Sequence, residues 1–206
     1  MNATGASPNR TRGRSVSGGL RAATCVTGVL CVIFGLAGCL KVPLGDPEQS
    51  RVDDKLIGAW LQRDPSSGAI KLMDAIAYDA RTYLVISYDA KPDAVGAFER
   101  GDETLFKGWL TEVGGRRFLT LQLLGESTET PYVVARIDLD QDGAALVARG
   151  IKPDFVKDAG VETADDLRKL IAGNLDNDAM YLESDRYFKA EGPDLETVRE
   201  VIGLFR

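Results

Sequence analysis

The stretch LFKGWLTEVGGRRFLTLQLL, residues 105–124, decides how the rest of the chain is read. Residues 105–113 and 116–124 flank Gly114-Gly115, a dipeptide that accepts the positive φ angles of a two-residue hairpin turn. Two antiparallel strands are predicted, and similar units stand on either side. Upstream, residues 69–78 and 81–88 are separated by Asp79-Ala80, and Thr82-Tyr83-Leu84-Val85-Ile86 is dense in β-formers. Downstream, residues 131–139 and 144–151 alternate around Asp140-Gln141-Asp142-Gly143, a third Gly-containing turn. Leu56-Ile57-Gly58-Ala59-Trp60-Leu61 opens the ordered part with a first strand.

After Pro153 the period changes. Thr163 followed by Asp165 and Asp166 reads as a helix start, with acids at the positive end of the helix dipole. Leu167, Leu170, Ile171 and Leu175 then recur at helical spacing. Residues 180–189 (MYLESDRYFK) read as a last strand, and Asp194 is predicted to cap a terminal helix with the stripe Leu195, Val198, Ile202 and Phe205. About eight strands in sequential order, with one or two helices near the C-terminus, predict a mainly β chain. Its antiparallel meander would close into a barrel, because closure removes exposed strand edges.

The N-terminal part carries a different signal. Ala22 to Gly38 (AATCVTGVLCVIFGLAG) is an uncharged run of seventeen residues that follows Arg10, Arg12, Arg14 and Arg21. A charged start, an apolar centre and a small-residue processing site compose a secretory signal. Its rival is an uncleaved transmembrane helix, for which the run lies at the lower edge of spanning length and is weakened by Gly and Thr. Paired arginines of the twin-arginine type are absent from it.

Leu36-Ala37-Gly38-Cys39 resembles the lipobox of bacterial lipoproteins: Leu, a small residue, Gly or Ala, then Cys. That resemblance implies cleavage between Gly38 and Cys39, a diacylglycerol in thioether linkage on Cys39, and N-acylation of the new terminus. No other cofactor is expected. The implied organisation is a signal peptide over 1–38, a lipidated N-terminus and tether over 39–54, and one barrel domain over 55–206. Pro43, Gly45, Pro47 and polar neighbours give the tether its character. The implied location is the cell envelope. In a diderm cell Leu40 after the anchor points to the outer membrane, facing the periplasm.

Gly58-Ala59-Trp60 resembles the Gly-x-Trp motif that opens the first strand of lipocalins and related calycin barrels, where the Trp packs across the closed end of the barrel. The basic residue that accompanies that Trp near the last strand corresponds to Arg186 or Lys189. A lipocalin-like barrel is what this resemblance implies.

Composition excludes much chemistry. The chain has 206 residues, 25 Lys and Arg, 31 Asp and Glu, and no His. Residues 1–38 hold four of the basic residues and no acidic one, leaving 21 basic against 31 acidic from Cys39 onward, a formal charge of −10. Such a surface repels polyanions, so nucleic acid is not an expected partner. Without His, Ser-His-Asp and Cys-His catalysis and His-ligated zinc are ruled out. Cys25 and Cys31 fall in the signal, which leaves Cys39 alone and no internal disulfide.

Asp138-Leu139-Asp140-Gln141-Asp142-Gly143 matches the first half of a calcium loop, but Arg149 stands where a bidentate Glu should close it. No metal site is expected. Tyr78, Tyr83, Tyr88, Phe98, Phe106, Trp109 and Phe118 either line a ligand cavity or fill the core, and buried aromatics more often do the second. Arg116-Arg117 beside the turn reads as solvated. Asp53-Asp54, Asp165-Asp166, Asp176 and Asp178 read as helix ends and solubility, not as a catalytic pair. The expected function is that of a non-enzymatic, membrane-anchored envelope lipoprotein binding a small apolar ligand or lipid. The alternative is a structural or interaction module that tethers or assists another envelope protein.

Overall fold

The computed structural model describes residues 40–94, 98–125 and 132–203. Eight strands form one closed antiparallel barrel in sequence order. They are β1 (Gly58–Arg63), β2 (Ile70–Ala77), β3 (Tyr83–Pro92), β4 (Phe98–Val113), β5 (Arg116–Leu123), β6 (Tyr132–Leu139), β7 (Ala145–Gly150) and β8 (Asp185–Lys189). The barrel closes where Trp60 of β1 pairs with Lys189 of β8. Helices α1 (Pro153–Asp158) and α2 (Ala164–Gly173) lie between β7 and β8, and α3 (Asp194–Ile202) follows β8. The expected β meander with helices towards the C-terminus is what the chain forms.

Period-2 alternation divides the strands between two faces. Trp60, Met73, Tyr83, Val85, Phe106, Leu119, Leu121, Val133, Ile137, Leu146 and Tyr187 meet inside the barrel. The outward residues form two further clusters. Val198 and Val201 of α3 cover Leu61, Ile70, Leu72 and Tyr88 on β1–β3. Leu167 and Ile171 of α2 and Val156 of α1 cover Phe118 and Val134 on β5 and β6. Both sheet faces are thus dry over much of their area, unlike an antiparallel sheet with one wet face.

Local signals place most elements. Gly114 and Gly115 adopt φ +58° and +74°, which carries β4 into β5 without a gap. The Thr163 hydroxyl accepts from the Asp166 amide (3.1 Å) while the Asp166 carboxylate accepts from the Thr163 amide (3.2 Å), a capping box that starts α2. Four expectations are corrected. β4 begins at Phe98 rather than at 105, and a register shift beside Asp89 lets its polar first half pair with β3. β8 begins at Asp185, because Met180 and Tyr181 are buried against the outer helices and Tyr181 bridges Ile151 instead. Asp194 is the first helical residue of α3 rather than its cap; Pro193 stands at that position, with no side-chain capping bond.

The fourth correction bears on function. Residues 40–54 are not a free tether. Leu40 pairs with Tyr132 in both directions (2.6 and 2.9 Å), Leu44 is wholly buried, and Ser50 Oγ accepts from the Leu110 amide at 3.0 Å. The segment is a strap that runs along the outer wall from the start of β6 to the start of β1. Cys39 and Gly38, the lipidation and cleavage positions, and Phe205 lie outside the described residues.

Candidate functional site

One end of the barrel is shut by residues that the sequence places just before β1. Asp53 caps a single 3-10 turn, Asp54–Leu56, and Leu56 drops into the barrel floor. Trp60 is 0% exposed and donates its indole N–H to the Leu56 carbonyl at 2.8 Å. Lys189 Nζ stands 5.5 Å from the Trp60 ring centroid and donates to the Lys55 carbonyl at 3.2 Å. Of the two basic residues considered for this role, Lys189 is the one at Trp60; Arg186 lies over Phe188 instead, at 5.2 Å.

Gly58 adopts φ +121°, and a Cβ there would come within 3.3 Å of Lys189 Cε. Backbone freedom and the close lysine both call for glycine at this position. Asp53 ties the floor to the wall: it forms an ion pair with Arg117 at 2.6 Å, and its amide donates to Tyr83 Oη. Arg117 is thus partly exposed, as expected beside the turn, and also paired with Asp53. Burial pushes the Tyr83 phenol up to about 12.

Above the floor the interior is apolar, and near the opposite end it turns polar. Gln62 Nε2 donates to Asp185 Oδ1 at 2.7 Å, and Asp185 is buried. Gln62 Oε1 is buried without a hydrogen-bond partner. Burial, followed by the charges of Asp185 and Asp89, holds the Tyr187 phenol above its ordinary range. Asp89 is itself raised, chiefly by burial, against the opposing pull of Lys71 and Lys91. These groups form a polar collar below the end reached by the β1–β2, β3–β4 and β5–β6 connections.

Space inside is small. A cavity of about 30 Å³ lies among Met73, Leu121, Val133, Leu146, Asp185 and Tyr187, and another of about 10 Å³ lies between Leu56, Met73 and Tyr83. A cavity needs about 10–15 Å³ to hold one water, whereas drug-sized ligand sites measure roughly 300–1,000 Å³. These two cavities among the described residues have room for a solvent molecule or two. A cleft of about 310 Å³ opens outside the barrel between the strap and the start of α2, lined by Asp46, Gln49, Thr111, Glu112, Asp165 and Arg168. Its walls are polar, and Arg168 is bonded to the Glu112 carbonyl at 3.2 Å.

The seven aromatics considered for a ligand cavity are dispersed. Tyr83 and Phe106 face the interior, Tyr88 and Phe98 pack under α3, and Phe118 packs under the other two helices. Trp109 lies against the strap, donating to the Leu44 carbonyl at 3.0 Å, and Tyr78 is 68% exposed. In the acidic loop, Asp138 forms an ion pair with Arg136 at 3.0 Å and Asp140 Oδ1 accepts from the Ala144 amide at 2.8 Å, so two of its three carboxylates serve the hairpin. Among the described residues no group of three or more His, Cys, Asp or Glu side chains could hold a metal ion, and no helix is long and apolar enough to cross a membrane. No protein-family model, curated protein or solved structure matches this chain.

The feature that sequence reasoning missed is the strap. The Leu44 carbonyl accepts from Trp109 Nε1, Thr111 Oγ1 (3.1 Å) and Thr120 Oγ1 (3.0 Å), three donors from two neighbouring strands. Those donors lie 65 to 76 residues away along the chain. Gly45 then turns at φ +74° so close to the wall that a Cβ would meet Thr111 Oγ1 at 2.2 Å. The one local signal was Pro43-Leu44-Gly45: a single apolar residue between two turn formers.

Proposed function

We propose that this chain is a non-enzymatic lipoprotein of the bacterial cell envelope, held to the membrane through acylated Cys39, and that its lipocalin-like barrel is a structural or interaction module. The observation that supports the module reading is the close packing of the described interior beside Met73 and Tyr187, where about 30 Å³ is free and a drug-sized ligand takes roughly 300 Å³ or more. The acidic composition agrees with it. Lipocalin likeness rests on Gly58 and Trp60 with Lys189 at the shut end. Crosslinking in whole cells followed by capture of the anchored protein tests the module: one stoichiometric envelope partner is expected. A monomer that releases one equivalent of lipid on organic extraction would refute it.

A second reading is favoured by one observation, the partnerless Gln62 Oε1 beside Asp185. An unpaired buried acceptor costs roughly 1–3 kcal/mol, so a small ligand bringing a donor to the collar would be stabilised there. Such a ligand would have an apolar body and a hydroxyl or ammonium head. Native mass spectrometry of the purified protein separates the readings, since a retained small molecule lost in Gln62→Leu favours this one.

A further inference from the structure

The strap fixes where an anchor at Cys39 would sit. As a free coil, the fifteen residues from 40 to 54 would let the barrel drift about 50 Å from the membrane. Bound as they are, they provide no reach. Leu40 is buried and paired with Tyr132, the first residue of β6. In sequence Cys39 directly precedes Leu40, joined to it by one peptide bond. The start of β6 belongs to the end of the barrel reached by the β1–β2, β3–β4 and β5–β6 connections. The shut end, with Trp60 and Leu56, is the opposite one.

Resting on the reading of Cys39 as acylated, we propose that the barrel stands on the lipid surface collar-first, with the β1–β2 and β3–β4 connections against the headgroups and the Trp60 end pointing away. Three features hold it in this pose: the two-way Leu40–Tyr132 pairing, the three donors on the Leu44 carbonyl, and the approach of Gly45 to Thr111. Asp93, Glu99, Asp102 and Glu103 are exposed at the same end against exposed Arg63 and Lys91, so the surface that suits it is low in negative charge. Zwitterionic lipid meets that condition. The geometry also makes the polar collar the part of the interior nearest the bilayer.

The test uses the acylated protein purified from a bacterial host and placed in phosphatidylcholine vesicles that carry a headgroup quencher. One fluorophore goes on Ser66→Cys, in the β1–β2 turn, and in a separate protein one goes on Asp142→Cys, in the β6–β7 turn. The two turns lie at opposite ends of the barrel, about 20 Å apart for strands of this length and tilt. Quenching at position 66 is expected to exceed that at 142 several-fold. A spacer of about twelve Gly and Ser residues inserted between Cys39 and Leu40, with a root-mean-square reach of roughly 20 Å, should erase most of the difference without touching the fold. Equal quenching in the acylated protein without the spacer, or stronger quenching at 142, would overturn the orientation alone. A mass showing no acyl chain on Cys39 would overturn the anchoring and the orientation with it.

Discussion

The two tryptophans of this chain make the same bond on opposite faces of one sheet. Trp60, inside the barrel, donates its indole N–H to the Leu56 carbonyl four residues earlier. Trp109, outside it, donates to the Leu44 carbonyl 65 residues earlier. Each large ring is buried together with a polar handle that needs an acceptor, and in each case the acceptor is a backbone carbonyl of the segment leading into β1. The difference lies in redundancy. Trp60 is the side chain that donates to the Leu56 carbonyl, whereas the Leu44 carbonyl also takes Thr111 and Thr120. The Leu56 carbonyl thus depends on one indole, while the Leu44 carbonyl shares its load among three donors.

The largest effect that can break this comparison is truncation. Trp60→Ala should cost about 3–5 kcal/mol, and Trp109→Ala a similar amount, because each removes a large buried ring. A domain of ordinary stability has only about 5–15 kcal/mol, so both melting temperatures should fall sharply or the fold be lost. A near-neutral Trp60→Ala in thermal melts would place Trp60 at the surface and undo the barrel floor. Next comes Gly45→Ala, for which about 2–4 kcal/mol is expected, from left-handed backbone strain together with overpacking on Thr111. Hydrogen exchange should then show residues 40–50 opening while β1 to β8 stay protected.

Conservative variants sharpen the contrast. Trp60→Phe should cost about 1–3 kcal/mol, since it keeps most of the ring but leaves the Leu56 carbonyl short of its indole donor. Trp109→Phe leaves two hydroxyl donors on Leu44 and should cost under about 1 kcal/mol beyond the packing lost in both. Equal losses in urea titrations would mean that redundancy does not distinguish the two sites.

The mildest probe is pH. Tyr83 ionises near 10 in an unfolded chain but at about 12 here. The fold therefore binds the proton more tightly than the unfolded chain, and its stability, fully present below pH 10, should decline as pH rises from 10 to 12. Tyr83→Phe should lessen that slope and leave the part due to Tyr187, at the expense of the bond to Asp53. An unchanged alkaline slope in Tyr83→Phe would assign the effect to other groups.

What the sequence made legible follows the range of the interactions. Gly114-Gly115, the helix start at Thr163 and the helical stripe through Leu167 and Ile171 act between near neighbours, so local pattern reveals them. Gly58 and Trp60 were legible through a short motif, but the choice of Lys189 over Arg186 depends on which face of β8 turns inward, and alternation alone does not say. The first half of β4 was hidden by Glu99, Arg100, Asp102 and Glu103, polar residues whose strand pairing with β3 is decided by backbone bonds. Six-residue α1 is too short to show a period. The strap looked like a linker because Pro, Gly and polar residues compose both, and what binds it lies on β4 and β5, far along the chain. Interior and exterior aromatics were indistinguishable for the same reason: a period of two sorts residues into two faces without naming which is inside.

The central claim, that this barrel is a membrane-anchored lipoprotein, is tested most directly by labelling cells with palmitate that express the wild-type chain or Cys39→Ser. Label is expected on a processed wild-type protein that begins at Cys39, with the variant unlabelled and unprocessed. Equal labelling of the two proteins, or a wild-type protein without label, would contradict it.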